Sequence, residues 1–71
     1  MYLVTWRVET PYTNRSTRVA QSRVNYQCTL ENDVGAAVIR LQKEYPDSRY
    51  IPICVIEIHE PQAEQMRFNL P

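Results

Sequence analysis

The pattern of hydrophobic and polar residues changes its period twice along this chain. From Tyr2 to Glu9 apolar and polar residues alternate, which is typical of a β-strand with one buried face. Between Leu30 and Tyr45 the apolar residues recur every three or four positions, as they do on one face of a helix. A dense run of β type follows from Ile51 to His59. With a more polar strand before the helix, the pattern predicts the order β-β-α-β.

The two N-terminal strands are predicted to differ in burial. The first, about 2–9, directs its even-numbered residues to the core, namely Tyr2, Val4, Trp6 and Val8. The second, about 18–27, is polar enough to be an edge strand. Its even-numbered residues are also predicted to face the core: Ala20, Ser22, Val24 and Tyr26. The segment 10–17 between them is rich in turn formers and is predicted to be a loop with a mobile tip.

Capping residues predict where the helix begins and ends. Thr29 is a suitable N-cap, which would place Glu31 and Asp33 in the first turn, where the helix dipole favours anions. Gly35 is the one glycine of the chain, and its presence in a helix predicts close packing of helix on sheet. Pro46 ends the helix.

The connections between the elements limit the fold. A strand–helix–strand crossover makes strands 2 and 3 parallel, while the loop at 10–17 makes strands 1 and 2 antiparallel. We therefore expect an α+β domain over residues 1–59: a three-stranded, mostly antiparallel sheet in the order 2-1-3, with one helix packed on one face. The second face is left bare. In the tail, 60–71, three large apolar residues would either cover that face, which we favour, or dock on a partner: Met66, Phe68 and Leu70.

Length and charge restrict the function. A chain of 71 residues buries one thin core and has no room for a deep pocket. Eight basic residues balance eight acidic ones, so no net field attracts nucleic acid or an anionic membrane. The charge is uneven, however: residues 1–27 hold four arginines and one glutamate, a net charge of +3, and residues 28–71 carry −3. Arginine suits planar, bidentate contacts with carboxylate or phosphate better than lysine does.

Residues that could carry catalysis or hold a metal are few. His59 is the one histidine, and Cys54 is predicted on the opposite face of its strand, so no metal site is expected. Cys28 could still meet His59 in space as a nucleophile and base. No motif has the spacing of a known chemistry, and we expect no catalytic residue and no cofactor. The two cysteines are expected to be reduced thiols, because we expect a cytoplasmic protein.

The localisation is predicted from two absences in the sequence. No stretch approaches the roughly 20 apolar residues of a membrane span. No basic and apolar leader precedes the first strand either. The sequence therefore predicts a cytoplasmic protein with no membrane partner.

One group of residues has the composition of a binding surface. Arginines on the first two strands and their loop surround an aromatic ring, and Arg7 and Arg23 are predicted to lie on the outward faces of neighbouring strands. The predicted partner-binding residues are Arg7, Tyr12, Arg15, Arg18 and Arg23. We expect them to bind a protein by bidentate pairing and stacking. The alternative is RNA or single-stranded DNA, whose phosphates and bases use the same residue types.

Two segments resemble a class of viral protein. The opening run from Tyr2 to Val8, and the run from Leu41 to Pro46 that ends the helix before the last strand, are similar to small bacteriophage-encoded early proteins. These include inhibitors of host RNA polymerase and anti-CRISPR proteins. The resemblance covers residues 1–59 and implies a non-catalytic protein that blocks a host complex by steric occlusion in the host cytoplasm. The chain is neutral, so mimicry of nucleic acid is not expected. The polar edge strand and bare sheet face also allow a homodimer.

Overall fold

The computed structural model describes residues 1–59, which form three strands and one helix. The elements are β1 (Tyr2–Thr13), β2 (Ala20–Glu31), α1 (Val34–Glu44) and β3 (Arg49–Glu57). The sheet has the order β2-β1-β3, and β1 is antiparallel to both neighbours. The predicted α+β class and strand order are therefore confirmed. The predicted packing of residues 60–71 on the sheet lies outside the described residues.

The helix packs on one face of the sheet and forms the core there. Val4 and Trp6 on β1 are completely buried, and Val8 is 5% exposed. The helix contributes Ala37 and Leu41, which lie against these residues. The alternation predicted for β1 is confirmed, because the residues that share a strand face all meet the same helix.

Trp6, which packs under the helix, also connects β1 to both neighbouring strands. Its ring meets the ring of Tyr50 on β3 edge-on, with centroids 6.2 Å apart. Its indole nitrogen Nε1 donates a hydrogen bond of 2.7 Å to Oγ1 of Thr29 on β2. A buried indole N–H needs such an acceptor, so this bond fixes where β2 sits beside β1. Burial also raises the pKa of Tyr50.

An ion pair holds the helix to the end of β2. Glu31 is a buried charged residue, with 6% of its surface exposed. Nη2 of Arg40 on α1 donates to Oε2 of Glu31 at 2.8 Å, and this hydrogen bond raises the pKa of Arg40. The arginine remains half exposed, so it reaches the carboxylate from the solvent side of the contact.

The helix begins later than its capping pattern predicts. Thr29, the predicted N-cap, and Glu31, predicted in the first turn, both lie in β2. The N-cap is Asp33, whose Oδ1 accepts from the backbone N–H of Ala36 at 3.1 Å, and the first turn holds no acidic residue. The prediction was wrong because pairing with β1 extends to the last residue of β2 and keeps that segment in the ladder.

The faces of β2 are the reverse of those predicted. Trp6 lies opposite Gln27, so the odd-numbered, polar residues of β2 share the side of the sheet that carries the helix. The even-numbered Val24 and Tyr26 lie on the other side and are 39% and 62% exposed. Residues 20–28 are exposed on both faces, so burial does not select the face of β2. The hydrogen bond from Trp6 to Thr29 selects which face of β2 lies on the helix side.

Strand β3 forms the second edge of the sheet and contains a bulge. Thr5 pairs with Cys54 and the next residue, Trp6, pairs with Pro52, which leaves Ile53 as the extra residue. Proline lacks a backbone donor and is tolerated at an edge or a bulge, and this position is both.

Gly35 has no close neighbour in the sheet. A Cβ built at this position meets Oδ1 of Asp33 at 3.4 Å, which is ordinary contact, and no atom of the sheet lies within 4 Å. The predicted close packing of helix on sheet at Gly35 is therefore wrong. The residue lies exposed in the first turn of α1, just after its N-cap.

Replacing the glycine is expected to stabilise the protein. Gly35→Ala should raise the free energy of unfolding by about 0.5–1 kcal/mol, because alanine loses less backbone entropy in a helix. Urea denaturation followed by circular dichroism measures the change. The reverse change at the adjacent exposed position, Ala36→Gly, should lower stability by a similar amount. A less stable Gly35→Ala protein would show that the site does not admit a methyl group.

Removing the acceptor of the indole is expected to destabilise the core. Thr29→Val keeps the shape of the side chain but leaves the buried N–H of Trp6 without a partner, at a cost of about 1–3 kcal/mol. Thr29→Ser keeps the hydroxyl and is the matched control, expected to lose less. Chemical denaturation monitored by tryptophan fluorescence measures both. Equal losses in the two variants would contradict a role for the hydrogen bond.

Candidate functional site

Strands β1 and β2 project beyond the rest of the sheet as a two-stranded arm. Pairing of β3 with β1 ends at Glu9 opposite Arg49, whereas pairing of β1 with β2 continues to Thr13 opposite Ala20. We call residues 10–23 the basic arm. Four residues per strand and a turn give it a length of about 15–20 Å. The predicted loop at 10–17 is thus wrong in its first part, which is strand.

The presence of proline in the arm has a structural reason. Pro11 lies opposite Ser22 in the ladder although it lacks a backbone donor. Beyond Glu9, β1 has β2 as its neighbour and no longer pairs with β3. The side of β1 that faces away from β2 therefore needs no backbone N–H donors beyond Glu9, and a proline is tolerated there as it is on an edge strand.

The turn at the tip is built on Asn14. Its Oδ1 accepts from the backbone N–H groups of Ser16 (2.9 Å) and Thr17 (3.3 Å), and its carbonyl oxygen accepts from the N–H of Arg18 at 2.7 Å. Arg18 has a φ of 57°, in the left-handed region. This local bonding, typical of asparagine in turns, holds the tip in a defined shape and leaves Arg15 and Arg18 exposed.

Tyr12 and Arg23 contact each other on the helix side of the arm. The guanidinium carbon of Arg23 lies 4.7 Å from the centroid of the Tyr12 ring, a cation–π contact. The hydroxyl of Tyr12 donates to Oε1 of Gln21, its cross-strand partner, at 2.5 Å. Tyrosine and arginine are therefore ordered by the arm itself, and Arg23 remains exposed at its surface.

The arm carries positive charge with no acidic residue of its own. Residues 10–23 include three arginines and no aspartate or glutamate. Within residues 1–59, the ion pairs are formed by Arg7 and Arg40, so Arg15, Arg18 and Arg23 have no carboxylate partner there. Three guanidinium groups that have no carboxylate partner in the described part of the chain thus lie on a narrow projection, where they present donors to any acidic surface that approaches.

Arg7 does not belong to this group. It lies opposite Tyr26, whereas Arg23 lies opposite Thr10, and these positions are on opposite faces of the sheet. Nε of Arg7 forms an ion pair of 3.2 Å with Oε1 of Glu9. The prediction that Arg7 and Arg23 share an outward face is therefore wrong, because the faces of β2 are reversed.

The base of the arm is anchored by a contact that the sequence did not indicate. The hydroxyl oxygens of Thr10 and Ser48 lie 2.9 Å apart, joining β1 to the segment between α1 and β3. The two residues are 38 positions apart, and neither lies in a recognisable motif. Their bond ties the arm to the body of the protein on the side where β3 begins.

Cys28 and Cys54 do not form a disulfide. Both pair with Thr5, one from each side, so β1 separates them by two strand spacings, about 10 Å. A disulfide needs Cα atoms closer than about 7 Å, and both thiols are free and exposed. Among the described residues, no cluster of three or more histidine, cysteine, aspartate or glutamate side chains has the arrangement of a metal site.

The face of the sheet opposite α1 is apolar in part. We call it the open face, because no element within residues 1–59 packs on it. Leu3 lies between Leu30 and Ile56 in the register, and Tyr26 and Val24 continue the surface along β2. Ile56 is 49% exposed. The open face is a second surface on which a partner could pack.

Comparison with known proteins identifies no relative from which a function could be inferred. No family model matches the sequence, and no curated protein or solved structure is significantly similar to it. Within the described part of the chain, no helix has the length and apolar character needed to cross a membrane. The arm, its charge and the open face are therefore the observations on which a function can be proposed.

The left-handed residue at the tip gives a test of the turn. Arg18→Gly should raise the free energy of unfolding by about 0.5–1 kcal/mol, because glycine adopts this backbone conformation without a steric penalty. Arg15→Gly removes the same charge at a position without positive φ and should lower stability by a similar amount. Thermal and urea denaturation distinguish the two. Destabilisation by both variants would contradict the left-handed turn.

Proposed function

We propose that the protein is a small, non-catalytic binding module that uses its basic arm to hold an acidic surface of a partner protein. The observation that carries this proposal is the concentration of charge. Residues 10–23 have a net charge of +3 in a chain whose total is zero, so the remaining residues carry −3. A neutral protein with a projecting basic ribbon is suited to a local acidic patch.

The chemistry of the arm supports a protein partner. Guanidinium groups bind carboxylates through two parallel hydrogen bonds, which give geometric specificity as well as affinity. The ring of Tyr12 already stacks with Arg23, and its hydroxyl is bonded to Gln21. Part of the free-energy cost of ordering these side chains on binding is therefore already met in the unbound protein. The negative charge of the body would repel a long polyanion that extends beyond the arm.

Steric occlusion is the mode of action we propose. The arm would bind the partner's surface and hold the rest of this 8.4 kDa protein over it, without any chemical step. The resemblance of the sequence pattern to phage-encoded inhibitors supports a bacterial complex as the partner, with this protein as a phage or mobile-element product in the host cytoplasm.

A second candidate, nucleic-acid binding, is favoured by the shape of the arm. A two-stranded β-ribbon fits the major groove of B-DNA, and arginine and glutamine side chains can read base edges. Single-stranded RNA or DNA would use the same arginines for its phosphates. The ring of Tyr12 would have to release Arg23 or stack through its other side.

Charge reversal on the arm tests the protein-binding proposal. The variant Arg15→Glu with Arg18→Glu should lose its partners in affinity capture from a bacterial lysate, with recovery lowered at least tenfold. Arg7→Glu with Arg49→Glu is the matched control, because it changes the same charge outside the arm, and it should retain them. Circular dichroism checks that both are folded. If the arm variant captures the same partners as the wild type, the arm is not the binding surface.

A salt titration distinguishes the two candidates. Fluorescence anisotropy with labelled duplex DNA, single-stranded DNA and RNA should show no binding at low salt if the partner is a protein. Binding that weakens steeply as salt rises, and that is abolished by the arm variant, would instead establish the nucleic-acid function, because released counterions make such binding salt-dependent.

A further inference from the structure

The outer edge of β2 is a long row of backbone groups that no other element of residues 1–59 covers. The sheet order places β2 at an edge, and no other element of residues 1–59 pairs with that side. The strand has 12 residues and pairs with β1 without a register shift, so its edge is regular over its whole length. Residues 20–28 are all exposed, which leaves the edge accessible from both faces.

The opposite edge of the sheet is protected by features that β2 lacks. Strand β3 is shorter, with nine residues, and carries Pro52 and a bulge at Ile53. Proteins commonly use such prolines, bulges and lysines to prevent strands from adding to an edge. The sequence of β2 contains no proline and no lysine, and its pairing has no bulge. The edge of β2 is therefore the one that can accept a further strand.

The charges of β2 favour a second copy of the same strand. Arg23 and Glu31 are its two charged residues, and both lie on the helix side. In an antiparallel pair related by a two-fold axis, residues equally far from the axis lie opposite each other. An axis at Gln27 places Arg23 of each copy opposite Glu31 of the other, where the guanidinium would approach a carboxylate that is 6% exposed and already bonded to Arg40 of its own chain. Opposite charges at such positions stabilise strand pairing.

The same axis also matches the residues of the open face. It places Val24 of one copy opposite Leu30 of the other, and Tyr26 opposite Cys28. Pairs of β-branched, aromatic and apolar side chains stabilise adjacent strands. One register therefore satisfies the charged pairs on one face and the apolar pairs on the other, as a self-complementary two-fold interface requires.

We propose that the outer edge of β2 binds a second copy of this chain, antiparallel and centred on Gln27. The product is a continuous six-stranded sheet with both helices on the same side. The two open faces join into one apolar surface, and the two basic arms project in opposite directions. This proposal does not depend on the partner of the arm, because it rests on the backbone edge and the side chains of β2, and of these only Arg23 among the charged residues also belongs to the basic arm.

Charged substitutions at Gln27, on the two-fold axis, test the pairing of the two β2 strands. Sedimentation velocity on the full chain should show a dimer for the wild type at micromolar concentrations. Gln27→Lys and Gln27→Glu each bring like charges together at the axis, and each should raise the dissociation constant at least tenfold. Mixing the two variants should restore the dimer as a heterodimer. Thr13→Lys adds the same charge at an exposed position of β1 and should leave the dimer unchanged.

A crosslink tests the register. In a Cys54→Ser background, Tyr26→Cys would face Cys28 of the other copy, so an added oxidant should give a covalent dimer. Asn25→Cys lies on the opposite face of the strand and should not crosslink to Cys28. Crosslinking by Asn25→Cys instead would overturn the register.

Three other results would also overturn the proposal. The first is a wild-type protein that stays monomeric at every concentration. The second is a dimer that both Gln27 variants leave intact. The third is a dimer broken by Ile56→Glu but not by Gln27→Lys, which would mean that the copies pack through their open faces rather than along β2.

Discussion

The burial of Trp6, with its single hydrogen bond to Thr29, is the constraint on which the rest of the fold depends. The indole lies at the centre of the central strand, under the helix and against the edge of Tyr50. Its N–H cannot be left without an acceptor in a dry core. The acceptor lies on β2, so the requirement of one buried donor determines which residues of β2 face the helix. The ion pair from Arg40 to Glu31 then fixes the helix at the same end of the strand.

The two surfaces to which we assign roles follow from the unequal lengths of the strands and from the small size of the helix. β1 and β2 have 12 residues each, and β3 has nine. Within residues 1–59 no third strand lies beside the extra residues of the hairpin, and they form the basic arm. Because one short helix lies over the central strand, residues 20–28 of β2 are exposed on both sides, and no other element of residues 1–59 pairs with its outer edge. A small domain that cannot bury all of its sheet is the kind that gains stability from a partner or a second copy.

Part of the candidate site could be predicted from the sequence. Tyr12, Arg15, Arg18 and Arg23 were grouped because local composition placed them on one hairpin, and the structure brings them together in the arm. Arg7 was placed with them wrongly, because the facing of a polar strand has no hydrophobic signal to fix it. The hydrogen bond of Thr10 to the distant segment before β3 had no sequence signal at all.

The α+β class, the strand order and the buried face of β1 could be predicted from the sequence, because they follow from hydrophobic period and from the geometry of crossover connections. Other features depend on contacts that form only in the folded protein. Strand pairing keeps the residues before Asp33 in β2, so the helix begins there. The buried indole N–H of Trp6 needs an acceptor on β2, and this requirement reverses the faces of that strand. Both depend on contacts between residues more than 20 positions apart, which the local pattern of hydrophobic and polar residues cannot predict.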